Sequence, residues 1–122
     1  MSAAARYAAD GFALVREPVI PADLVARAIE GQEMLRHGGN DTGRPVVGAS
    51  GDPSRPDALV KMEQPQFASQ AIREVVSHPA LGRWALEVTG AQWVQAWWVQ
   101  LLVKPSGAAL KANVGWHQDR YY

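Results

Sequence analysis

The sequence contains no cysteine in its 122 residues. This absence excludes disulfide bonds, thiolate zinc sites and cysteine nucleophiles. An excess of charge of either sign is missing too, because 12 Lys and Arg residues balance 12 Asp and Glu residues. No basic cluster or arginine-rich arm disturbs this balance. Bulk electrostatics therefore gives no reason to expect nucleic acid or an anionic membrane as a partner.

Long apolar runs are also absent. The longest run surrounds Trp97 and Trp98 and is interrupted by Gln92, Gln95 and Gln100, whereas a membrane span needs about 20 apolar residues. The first residues lack the basic start and apolar core that mark a secretory signal. These absences predict a cytoplasmic protein.

What is present is ordinary for a globular protein. Hydrophobic residues make up 48% of the chain and charged residues 20%, which are usual proportions for such proteins. A chain of this length can bury roughly two-thirds of its unfolded surface and so form a core. Length and composition together predict one domain over residues 1–122.

Helical patterns alternate with glycine and proline. They cover residues 2–10, a stretch that starts at Pro21, and residues 66–89 with a break at His78 and Pro79. Each stretch is followed by glycine, which is typical of a helix end. At the internal break, Ser77 is predicted to cap the helix that follows it.

The period changes to two between residues 91 and 104, which predicts a long strand. The alternation places Trp98, Gln100 and Lys104 on one face of that strand. Because both faces are mostly apolar, we expect both to be covered. A brief strand is predicted at residues 12–15. Helices together with these strands predict an α+β fold.

Residues 38–57 differ from the rest of the chain. They contain eight glycine or proline residues and show no sustained periodicity. Such a composition disfavours helix and strand together, and long irregular segments often border binding sites. We predict a flexible loop at the mouth of a pocket, involved in substrate entry.

His117 and Asp119 form the sharpest local motif. Residues two apart in a strand point to the same side, so the imidazole and the carboxylate would project together. This pair would supply two ligands of a 2-His-1-carboxylate site, the arrangement typical of non-haem Fe(II) oxygenases. The motif by itself is more typical of a surface histidine and aspartate, because aspartate often stands two residues after a histidine by chance.

Several segments around this motif occur in a recognisable order. The stretch Gln100–Pro105 leads through a glycine-containing turn to Gly115-Trp116-His117-Gln118-Asp119, and Tyr122 stands three residues further on. Asp10-Gly11-Phe12 and His78-Pro79-Ala80-Leu81 lie upstream. In this order and spacing the chain resembles the phytanoyl-CoA dioxygenase family of Fe(II)/2-oxoglutarate-dependent oxygenases, over nearly its whole length.

The resemblance implies a jelly-roll, or cupin-like double-stranded β-helix, of which this chain carries the N-terminal helices and first strands. It implies Fe(II) as cofactor, 2-oxoglutarate as cosubstrate, and O₂ with a small organic molecule as reactants. The expected reaction is hydroxylation coupled to oxidative decarboxylation of 2-oxoglutarate to succinate. The residues that match family positions are His117 and Asp119 as iron ligands, Lys61 and Gln100 as cosubstrate contacts, and Trp116, which would help to shape the pocket beside the metal histidine. Trp98, which shares a strand face with Gln100, is the further candidate for the substrate pocket.

Other interpretations stay open at this point. Lys61 could be solvated, Gln100 could be satisfied by backbone, and Trp98 could simply pack in a core. The family's second iron histidine and its 2-oxoglutarate-binding arginine lie beyond the His-x-Asp motif. We therefore expect an N-terminal portion, truncated relative to the family, that does not turn over 2-oxoglutarate alone.

A different class of function also fits the sequence. The chain could be a non-catalytic α+β binding or interaction domain that kept the scaffold without iron chemistry, or a structural domain that matches by coincidence. The sequence indicates neither the identity of the substrate nor the oligomeric state.

Overall fold

The computed structural model describes residues 2–52, 54, 55, 57–106, 114, 115 and 117. The described part is α+β, with four α-helices and a three-stranded antiparallel sheet. The helices are α1 (Ala3–Asp10), α2 (Ala22–Arg36), α3 (Gln70–Val76) and α4 (Pro79–Thr89), and the strands are β1 (Val47–Ser50), β2 (Val60–Glu63) and β3 (Gln100–Val103). A short 3₁₀ turn, Pro65–Phe67, precedes α3. No helix in the described ranges is long and apolar enough to cross a membrane.

The helix ends follow local sequence signals. Ser2 caps α1 by accepting a hydrogen bond from Ala5 N at 3.2 Å. Gly11 and Gly90 end α1 and α4 in the left-handed conformation, as predicted for glycine after a helix. The residue that caps α4 is His78, not Ser77, because His78 Nδ1 accepts from Ala80 N at 3.3 Å. The expected cap was therefore wrong by one residue.

The sheet has the strand order β1-β2-β3, and its register sorts the side chains into two faces. Val60 pairs with Val103 and Met62 pairs with Leu101 on one face. Alternation places Lys61, Glu63, Gln100 and Leu102 on the opposite face.

Helices α2 and α3 cover only the first of these faces. The buried core joins the helices to β2, and its members are Leu35, Val60, Met62, Ala68 and Ile72. Leu101 and Val103 of β3 pack against this core. The second face, which carries Lys61 and Glu63, is left half-buried or exposed. We call it the open face of the sheet.

Two strand predictions were wrong. Residues 12–15 form no strand. The long strand expected over residues 91–104 is assigned only at Gln100–Val103. Coverage of both faces is also wrong for residues 93–98, where Trp93 and Trp97 are 73% and 75% exposed. The alternating pattern was real, but a strand needs a pairing partner, and β2 begins to pair with this segment only at Gln100.

The prediction of a structureless segment at residues 38–57 was wrong in part. Strand β1 lies inside this segment, although all four of its residues are exposed. Pairing with β2 forms β1 despite its glycine content. The expected flexibility of the rest of this segment stays a prediction.

Candidate functional site

The open face of the sheet brings together three of the residues expected to bind ligands. Lys61 and Glu63 are two apart in β2, so both project from this face. Gln100 lies directly across from Glu63 in the register of β2 and β3. Trp98, just before β3, reaches the same point from the adjoining chain segment. We call Lys61, Glu63, Trp98 and Gln100 the Glu63 cluster.

The carboxylate of Glu63 is the centre of this cluster. Lys61 Nζ lies 2.8 Å from Oε1. Trp98 Nε1 donates to Oε2 at 2.7 Å. Gln100 Nε2 lies 3.0 Å from Oε1 and 3.2 Å from Oε2. Three side chains of different chemistry therefore aim their donors at one carboxylate, whose side chain is 19% exposed.

The electrostatics of Glu63 follow from these contacts. Hydrogen bonding from Lys61 is the largest influence, and it lowers the pKa of Glu63 below its ordinary value of 4.5. Partial burial acts in the opposite direction, while the hydrogen bonds from Trp98 and Gln100 lower the pKa further. Glu63 is thus ionised at neutral pH, and it neutralises the charge of Lys61.

A bulge in β1 makes room for the Glu63 side chain. Val47 pairs with Glu63 and Ser50 pairs with Lys61, so β1 has one residue more than β2 between these pairs. Gly48 lies in the bulge with φ of +66°, a conformation that glycine adopts without strain. A Cβ at residue 48 would lie 2.9 Å from Glu63 Cγ. The glycine therefore allows the side chain of Glu63 to lie against β1.

Gln64 fixes the other side of the cluster. Its backbone N–H donates to Val99 O at 2.8 Å, and its Oε1 accepts from Val99 N at 3.2 Å. Val99 stands between Trp98 and Gln100, so these two hydrogen bonds hold both donors beside Glu63. Gln64 does so at φ of +51°, the one non-glycine residue in the described ranges with positive φ. Such strain is tolerated where surrounding contacts fix the backbone.

His117 is placed by a local contact. Its Nδ1 lies 2.8 Å from Gly115 O. A carbonyl oxygen only accepts, so Nδ1 carries the proton in this contact. This is the tautomer that a histidine ligand uses when it coordinates a metal through Nε2. The donor chemistry of His117 therefore fits an iron ligand.

The remaining predicted site residues lie outside the described part of the chain. They are Asp119 and Trp116, and Tyr122 also lies outside the described part. The expected pairing of His117 with Asp119 on one strand face therefore stays a prediction. None of the hydrogen bonds of Glu63 within the described ranges involves His117. Nor do three histidine or acidic side chains converge as a metal site there.

The sequence interpretation missed Glu63. A signal was available, because Lys61-Met62-Glu63 alternates polar and apolar residues and so predicts a strand with Lys61 and Glu63 on one side. What the sequence could not supply is the register that sets Glu63 opposite Gln100. That pairing joins residues 37 positions apart.

Comparison with known proteins gives no match to this chain among family models, curated proteins or solved structures.

Proposed function

We propose that this chain is the N-terminal part of a non-haem Fe(II)/2-oxoglutarate-dependent oxygenase that hydroxylates a small organic molecule. The observation that supports it is the convergence of Lys61, Gln100 and Trp98 on one carboxylate. Spacing alone predicts Trp98 and Gln100 on one strand face. The register of β2 and β3 adds Lys61, from a distant part of the sequence, to the same face.

The chemistry of this convergence suits 2-oxoglutarate. Lysine offers a positive charge to a carboxylate, and the amide of Gln100 and the indole of Trp98 offer uncharged donors. All three donors make charge-assisted hydrogen bonds to a carboxylate, and the ammonium group of Lys61 adds the attraction between opposite charges. Lys61 would therefore contribute most to holding the cosubstrate, and Gln100 would orient it.

His117 and Asp119 would hold the iron under this proposal. Bound Fe(II) would supply the activation of O₂ that couples decarboxylation of 2-oxoglutarate to hydroxylation. Gly115 O would orient the ring of His117 by accepting a hydrogen bond from Nδ1. Trp98 and Trp116 would shape the substrate pocket. In this proposal the open face of β1–β3 is part of the inner wall of a jelly-roll, completed by further strands.

The test is succinate formation from 2-oxoglutarate by a polypeptide that carries this sequence together with the downstream chain. Fe(II) and ascorbate are supplied in excess. His117→Ala and Asp119→Ala should each abolish the succinate signal. His37→Ala and Asp10→Ala are matched controls at exposed positions, and they should leave it unchanged. Full activity in the first pair of variants would refute the assignment.

A second candidate is a non-catalytic binding domain, and the exposure of Trp93 and Trp97 favours it. Large exposed aromatic side chains are typical of contact surfaces. Neutralisation of Lys61 by Glu63 also fits a structural rather than a ligand-binding pair. Calorimetric titration with Fe(II) separates the two candidates. A binding domain would take up iron no better than its His117→Ala variant does.

A further inference from the structure

The three donors of the Glu63 cluster have the composition of a binding site for a carboxylate. The carboxylate of Glu63 already occupies that site. Lys61 comes from one part of the chain and Trp98 and Gln100 from another, and all three donate to a single acceptor group. Trp98 is 53% exposed. A surface ion pair ordinarily contains one donor and one acceptor and stabilises a fold very little. Three convergent donors are more than such a pair requires.

Position supports the same interpretation. The cluster lies on the open face, where α2 and α3 do not cover the sheet. Leu102 lies beside Lys61 on this face, directly across from it in the register. A ligand that approached would meet an apolar side chain next to the three donors. This combination suits a small dicarboxylate, which has charged ends and an apolar middle.

We propose that Glu63 is an internal competitor, whose carboxylate occupies the donors of Lys61, Trp98 and Gln100 until an external carboxylate displaces it. Glu63 thereby sets the affinity of this site. The identification of the external carboxylate with 2-oxoglutarate rests on the proposed function, whereas the competition itself does not. Gly48 and Gln64 are positioning residues, since one admits the Glu63 side chain and the other fixes the two donors next to Val99.

The charge balance of the cluster gives the expected effect of removing the competitor. With Glu63 ionised, the charges of Lys61 and Glu63 cancel. An incoming carboxylate would find the negative carboxylate of Glu63 at the position that it would itself occupy. In Glu63→Gln the charge of Lys61 is no longer neutralised within the cluster. We expect 2-oxoglutarate to bind this variant about tenfold more tightly, the usual effect of one additional hydrogen bond from a charged donor.

The experiment titrates the 122-residue chain with 2-oxoglutarate, without metal, at constant ionic strength. Two resonances are followed by NMR, the indole N–H of Trp98 and the side-chain carboxyl carbon of Glu63. Glu63→Gln is compared with Glu30→Gln, which makes the same change of net charge at an exposed position on α2. Tighter binding is expected for the first variant and wild-type binding for the second. Adding Lys61→Met to Glu63→Gln should abolish the gain.

Equal affinity of Glu63→Gln and the wild type would overturn the proposal, as would an equal gain in Glu30→Gln. If Glu63→Gln does not fold, the wild-type titration decides. Saturation should then shift both resonances, because displacement changes the surroundings of Glu63 as well as those of Trp98. Binding that leaves the Glu63 carboxyl unchanged, or absence of binding in every folded protein, contradicts it.

The test of Glu63 as a competitor does not depend on the iron chemistry of the proposed function. Tighter binding in Glu63→Gln without succinate formation by the longer polypeptide would uphold the competitor and refute the oxygenase. Succinate formation that depends on His117, together with unchanged affinity in Glu63→Gln, would do the reverse.

Discussion

Gly48 of β1 lies against the side chain of Glu63 of β2, and a methyl group at residue 48 would come within 2.9 Å of Glu63 Cγ. Gly48→Ala should therefore displace Glu63 as well as strain the backbone at φ of +66°. We expect a loss of about 1–2 kcal/mol in the free energy of unfolding from the backbone alone. We also expect a shifted indole N–H resonance for Trp98, because its acceptor moves.

Gly43 provides the control for this prediction. It has φ of +75°, and a Cβ there would have nothing within 4 Å. Gly43→Ala should lower stability by a similar amount, measured by urea unfolding, and leave the Trp98 resonance in place. The sequence contains five tryptophans, so Trp98→Phe is needed to assign that resonance. An unmoved Trp98 signal in Gly48→Ala would show that Glu63 does not depend on the glycine.

The titration of Glu63 is the second prediction. Lys61 lowers the pKa of Glu63 below 4.5. A depressed carboxyl pKa contributes stability that is present above pH 4.5 and is lost as the pH falls through the folded-state pKa. The carboxyl carbon resonance should therefore titrate below pH 4.5. In Lys61→Met, the midpoint should move back up toward that value.

Glu74 is an internal reference for this measurement. Arg27 lowers its pKa through a hydrogen bond of 2.8 Å, with no participation of Lys61. Its midpoint should be the same in the wild type and in Lys61→Met. If the Glu63 midpoint is likewise unmoved in Lys61→Met, the ion pair between Lys61 and Glu63 does not exist in solution.

The two faces of the sheet predict different costs for shortening a side chain, which is the third prediction. Met62 is 1% exposed and packs under α2 and α3. Met62→Ala should lower the free energy of unfolding by about 2–5 kcal/mol. Leu102 is on the open face, so Leu102→Ala should cost less than about 1 kcal/mol. Chemical denaturation measures both, and equal costs would contradict the assignment of the faces.

The helices of this chain could be predicted from the sequence because their signals are local. Gly11 and Gly90 end α1 and α4 through their own backbone conformation. The strands could not be predicted as reliably. All four residues of strand β1 are exposed, and one of them is a glycine. The strand forms because β2 pairs with it. Residues 91–99 have the alternation of a strand but pair with β2 only from Gln100 onward.

The candidate site likewise contains residues that the sequence predicted and one that it did not. Lys61 and Gln100 were expected from a resemblance in sequence and Trp98 from its strand face, and the three side chains do meet. Glu63 was missed, since its importance comes from a cross-strand register that joins distant residues. Sequence patterns report periodicity within one element, whereas register depends on turns and on packing against other elements.

The fourth prediction contrasts two glycines in the middle of helices. Gly31 of α2 faces α3, and a Cβ there would lie 2.6 Å from Ser69 Oγ. Ser69 is completely buried and caps α3 by accepting from Ile72 N. Neither the helix backbone at Gly31 nor the buried side chain of Ser69 can move away easily. Gly31→Ala should therefore lower the free energy of unfolding by about 1–3 kcal/mol, the range for an overfilled core.

Gly82 of α4 differs, because a Cβ there would meet only Val94 Cγ2 at an ordinary 3.9 Å. Gly82→Ala should therefore stabilise the protein by up to about 1 kcal/mol, since alanine favours helix over glycine. Urea unfolding of the two variants should give changes of opposite sign. A stabilised Gly31→Ala would show that α2 and α3 do not pack as closely as this structure has them.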